Sequence, residues 1–61
     1  MQEMSQNLIF EFYTIGRYTK VSVMDPETTL EAVIVLPSEL DIAVKRILAI
    51  KKLDFLRKTQ K

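Results

Sequence analysis

Between Leu8 and Leu36 the apolar residues recur at the period of a strand, and after Pro37 the period becomes that of a helix. Leu8 to Thr14, rich in Phe, Ile and Tyr, predicts a first strand with Leu8, Phe10 and Phe12 on one face. Gly16-Arg17 suits a two-residue type II′ turn, which wants glycine at its first position. That turn pairs Ile15 with Tyr18, Thr14 with Thr19, Phe12 with Val21 and Phe10 with Val23, giving a face that is apolar on both strands. The opposite face receives Ile9, Tyr13, Ile15, Tyr18 and Met24, with Glu11, Lys20 and Ser22 among them. Asp25 to Thr29 carries the second turn, with Pro26 where its fixed φ fits, and Leu30 to Leu36 predicts a third strand. A four-residue loop, Pro26 to Thr29, sets Ala32 beside Val23 and Ile34 beside Val21. A five-residue loop turns Val33 and Val35 inward instead, and the pattern allows both.

Pro37 ends the extended stretch at Leu36, and a helix is expected from a Ser38 cap to about Lys58. Asp41 stands three residues after Ser38, a weak form of the capping box. Glu39 and Asp41 place negative charge in the expected first turn, with Arg57, Lys58 and Lys61 at the far end, as the helix dipole favours. At about 100° per residue, Leu40, Ala43, Val44, Ile47, Leu48 and Ile50 form one broad stripe, wide enough to cover a sheet. Ile42, Ala49, Leu53 and Leu56 form a second, nearly opposite stripe at the spacings of a short heptad seam. Either that second stripe meets another copy of the chain, or the helix bends around its own core and exposes Ile42 and Ala49 incidentally.

The expected architecture is α+β, a three-stranded antiparallel meander with one long C-terminal helix across one face (β-β-β-α). Residues 1–7 are expected to be a flexible lead-in and residues 8–61 a single domain. A chain of 61 residues with no cysteine and no histidine has neither a disulfide framework nor the usual ligands of a structural zinc. Small scaffolds without such staples often oligomerise. The second helix stripe, the outer sheet face (Ile9, Tyr13, Tyr18 and Met24 above all) and two open edge strands all ask for a partner. A homodimer is expected, with an unidentified protein as another possible partner.

Net charge is only +1, yet residues 45–61 hold seven Lys or Arg against Asp54, while residues 1–44 hold Arg17 and Lys20 against seven acids. This asymmetry raises nucleic-acid binding as the alternative function, through Lys45, Arg46, Lys52 and Arg57 on the helix with Tyr13 or Tyr18 stacking on bases. A solvated helix end obeying its dipole accounts for the same charges. Membrane contact is not expected, because the broadest apolar stripe is assigned to the sheet. Met1 to Asn7 lacks the basic start and apolar run of a signal peptide, so a cytoplasmic protein is expected.

Phe10-Glu11-Phe12, Ile15-Gly16-Arg17-Tyr18, Lys20-Val21, Asp25-Pro26 with Thr28, and Lys51-Lys52-Leu53-Asp54-Phe55-Leu56 resemble a family of short uncharacterised alphaproteobacterial proteins. The resemblance spans about residues 8–57 and rests on turns, strand faces and a helix seam. Members tend to have Gly near the positions of Thr29 and Leu36, where this chain departs from the pattern. The resemblance implies no assigned activity, so no catalytic residue carries over.

Without His or Cys the chain lacks the commonest bases, nucleophiles and metal ligands, and one glycine cannot build a phosphate-cradling loop. Glu11 and Lys20 lie diagonally across the first hairpin as an ordinary surface pair would. No enzyme activity and no cofactor are expected. The function expected is that of a small non-enzymatic, self-associating interaction module.

Overall fold

The computed structural model describes residues 7–59. The expected flexible lead-in lies, but for Asn7, outside the described residues. Strands β1 (Ile9–Ile15), β2 (Tyr18–Asp25) and β3 (Leu30–Pro37) form one antiparallel sheet in the order β1-β2-β3, followed by helix α1 (Ile42–Thr59). The helix lies over β3 and β2.

The first hairpin has the register that its turn dictates, from Ile15 opposite Tyr18 to Phe10 opposite Val23. Gly16 takes a φ of 59°, as the first central position of a type II′ turn requires. A Cβ built there meets no atom within 4 Å, so backbone conformation alone demands the glycine. The second hairpin settles the open loop length at four residues, with Ala32 opposite Val23 and Ile34 opposite Val21. The Asp25 side chain accepts the Glu27 N–H at 3.0 Å and its carbonyl accepts the Thr29 N–H at 2.7 Å, which closes the loop on itself. Thr29 sits at φ 59°, a left-handed conformation that a β-branched residue holds at a cost.

β3 runs one residue further than expected, through Pro37 opposite Tyr18. On this edge strand the proline costs no ladder bond. The flanking Ser38 N–H bonds to the Arg17 carbonyl at 2.7 Å, which makes Pro37 one of the alternating positions that do not bond to β2. Ser38 is therefore not the helix cap. Its hydroxyl donates to the Gly16 carbonyl at 3.2 Å, so both its polar groups belong to the sheet end. The helix starts after one further turn. Asp41 occupies the position before Ile42, and its carbonyl accepts the Lys45 N–H at 3.0 Å.

The helix packs through the stripe that had been assigned to a second copy. Ala49 and Leu53 are fully buried with Val21, Val23 and Ala32, and Leu56 packs half-buried against that cluster. Of the expected seam only Ile42 remains open to solvent, at 56% exposure. The broad stripe instead points outward, with Val44, Ile47 and Leu48 exposed. The physical reason is Lys45, which is 8% exposed and completes the inward row Lys45, Ala49, Leu53, Leu56 at spacings of four, four and three. Its aliphatic stem packs as an apolar side chain does, although a polar/apolar pattern counts it as charged. Small residues on both sides, Ala49 and Ala32, let helix and sheet approach closely.

Because α1 lies over β2 and β3, Phe10 and Phe12 of β1 remain half-buried, their rings stacked with centroids 6.2 Å apart. Truncation should follow this division: Leu53→Ala is expected to cost about 3–5 kcal/mol and Phe12→Ala about half that, measured by urea unfolding. Thr29→Gly, which relieves the left-handed strain, should raise stability by about 0.5–1 kcal/mol in the same assay.

Candidate functional site

Two polar assemblies pin the helix, and two apolar surfaces lie outside it. At the helix start the Lys45 ammonium donates to the Ser38 carbonyl at 3.0 Å and, more weakly, to Thr19 Oγ1 at 3.4 Å. Thr19 is itself buried and shares a 2.8 Å hydrogen bond with Thr14 Oγ1. Among the described residues this ammonium has no ion-pair partner, and these two oxygens hold it in place. Through Ser38, which bonds to Gly16 and Arg17, this group ties the helix to the first hairpin turn.

At the other end Arg57 forks between Asp25 at 2.8 Å and Asp54 at 2.9 Å. Asp25 thus serves two structures with its two oxygens, the Glu27 N–H of the second turn and the Arg57 guanidinium. Arg46 lies over the Phe10 ring at 5.7 Å, a cation–π contact on the side of β1 that the helix leaves open.

These engagements decide the fate of the basic residues expected to meet nucleic acid. Lys45 is buried, Arg57 is held by two carboxylates and Arg46 rests on Phe10. Only Lys52 of the four is exposed and outside every ion pair and ring contact among the described residues.

The outer sheet face is where the sequence placed it. Ile9, Tyr13 and Tyr18 are exposed and Met24 half-buried, joined by Ile15, Val33 and Val35. A shallow apolar depression is lined by Tyr13, Ile15, Tyr18, Lys20 and Val35, and a more polar one by Glu11, Lys20, Ser22 and Glu31 with their apolar neighbours. The second surface, the outward side of α1, carries Val44, Ile47, Leu48 and Phe55 and was missed as a free surface. Its signal was present in the sequence as the broad stripe, but attached to the wrong side. Among the described residues no group of three His, Cys, Asp or Glu comes together to hold a metal ion, and no helix is long and apolar enough to cross a membrane.

The molecule is thus a small two-layer β-β-β-α domain, apolar on both of its outer sides. By family it belongs to the domain of unknown function DUF6898, whose model matches residues 5–60. No curated protein and no solved structure gives a significant match.

Replacing Lys45 by Met keeps the packing stem but leaves the Ser38 carbonyl without its Lys45 donor and the Thr19 hydroxyl with its Thr14 bond alone. Lys45→Met is expected to cost about 1–3 kcal/mol by thermal or urea unfolding, and Lys45→Ala more, since it also opens a cavity.

Proposed function

We propose that the protein is a small non-enzymatic interaction module of the bacterial cytoplasm, and that it self-associates through the outer face of its sheet. The observation that carries this is the row of exposed large apolar residues on that face, Ile9, Tyr13, Ile15, Tyr18, Val33 and Val35, in a domain whose core already lies on the other side. The largest apolar patch of a small domain is often where it binds a partner.

The register supports a self-complementary pairing. The face is built of four rows across the strands: Ile9-Met24-Glu31, Glu11-Ser22-Val33, Tyr13-Lys20-Val35 and Ile15-Tyr18-Pro37. A two-fold axis lying in the face, across the strands and between the second and third rows, sets Ile9 against Ile15 of a second copy. It also sets Met24 against Tyr18 and Val33 against Val35, and brings Lys20 diagonally beside Glu11. The large aliphatic and aromatic groups thereby mostly meet one another with unlike charges adjacent, while Glu31 faces Pro37 and Glu11 faces Tyr13.

Three strands of about eight residues present on the order of 400 Å² of face. That is about half of what one side of a standard interface buries, so the dimer is weak and concentration-dependent. Nucleic-acid binding through the helix is the weaker alternative, because Lys45, Arg46 and Arg57 are already engaged.

Light scattering coupled to size exclusion over a range of loading concentrations tests the dimer. The expected result is a mass rising toward twice that of the chain, with Val35→Glu, at a residue 62% exposed, remaining monomeric and fully folded. A single-chain mass at every concentration, or a dimer indifferent to Val35→Glu, would overturn it.

A further inference from the structure

The outward side of α1 has a different charge pattern from the sheet face, and that difference selects a different occupant. Val44, Leu48, Lys51, Phe55 and Lys58 follow one another at spacings of four and three along the helix, and all are exposed. Such a row would be a coiled-coil seam if it were apolar throughout. Here two of its positions are lysine, and Lys52 stands beside it. A parallel second copy of this helix would bring Lys51 against Lys51 and Lys58 against Lys58, and an antiparallel copy centred on the row would bring Lys51 against Lys51. Like charge therefore disfavours parallel self-pairing through this surface.

The geometry points to an anionic lipid surface as what this helix face binds, with the helix lying in the headgroup plane. Phe55, 61% exposed, and Ile47, 53% exposed, stand with Val44 and Leu48 where an acyl boundary would receive them. The cations are all lysines, compact charges on flexible stems that bury their methylenes and lift the ammonium to the phosphates. Within the helix the one acid, Asp54, is bonded to Arg57, and the exposed Asp41 lies one turn before Val44, at the end of the row away from the lysines. A helix standing outward from a two-layer domain is convex, which suits a planar partner. The whole chain carries only +1, so attraction to an anionic surface comes from this local cluster and not from overall charge. The inference does not rest on the sheet-face dimer. In that dimer the two helices face away from each other and each keeps this side free.

Cosedimentation of the full chain with vesicles tests the proposal. The protein should pellet with vesicles of phosphatidylserine and phosphatidylcholine in equal parts, not with phosphatidylcholine alone, and should be released by salt. Phe55→Ser should lower the partition roughly tenfold. Lys51→Glu combined with Lys58→Glu should lower it at least as much, since each lysine contributes roughly fivefold. Far-UV circular dichroism of each variant should match the parent, because the altered side chains are exposed. As an independent readout, Phe55→Trp should show a blue-shifted emission on adding the mixed vesicles. Failure to pellet with either vesicle, equal pelleting of Phe55→Ser and parent, or an unshifted Trp emission with bound protein would overturn the proposal. So would binding to a polyglutamate peptide without binding to vesicles, which would assign the face to an acidic protein.

Discussion

Everything about the outside of this domain depends on how Ala49 and Leu53 seat against Val21, Val23 and Ala32. These five residues are the entire fully buried apolar core among the described residues, and they involve only two of the three strands. So small a core tolerates only one rotation of the helix. If α1 turned about its axis to bury Val44, Ile47 and Leu48, it would withdraw Leu53 and bring larger side chains where Ala49 now allows close approach. Burial of Lys45 is part of the same fit. Its stem fills the row above Ala49, and its ammonium finds the Ser38 carbonyl and the Thr19 hydroxyl at the sheet end. An unsatisfied ammonium in that place would cost more than the packing gains, so the oxygens and the rotation come together.

The hairpin turns take part in helix placement. Gly16 and Arg17 present carbonyls that receive the hydroxyl and N–H of Ser38, which extends the ladder past Pro37 and delays the helix until Ile42. Asp25 organises the second turn with one oxygen and holds Arg57 with the other. The helix is therefore fastened near both ends to the two turns of the meander, and its middle is left to apolar packing. This division suits a short chain without disulfides: polar contacts fix direction and register, and the few buried methyl groups supply most of the favourable free energy.

The result is a domain with two outer apolar sides of unlike character. The sheet face mixes Lys20 with Glu11 and Glu31. The outward helix face mixes its apolar groups with lysine. On the readings proposed above, like associates with like on one side and a negatively charged surface is met on the other, with no shared residue between the tasks.

The strand elements were legible in the sequence, because period-two alternation and a Gly at the first turn position are local signals with one low-energy outcome. The register of the first hairpin followed from Gly16-Arg17 alone, and both faces of β1 and β2 from that register. The existence and approximate end of the helix were equally local. The loop of four residues at Pro26 to Thr29 was one of two permitted answers, settled only when Ala32 packed opposite Val23. What the tertiary structure alone decided was which side of the helix is inside. Counting apolar positions favours Leu40 to Ile50, but the sheet receives a narrow row with a small residue at its centre, and it accepts a lysine whose ammonium reaches the Ser38 carbonyl and, 26 residues away, the Thr19 hydroxyl. That partnership is non-local and so cannot appear in a periodicity. The rotation that buries Lys45 leaves the broad apolar stripe facing out.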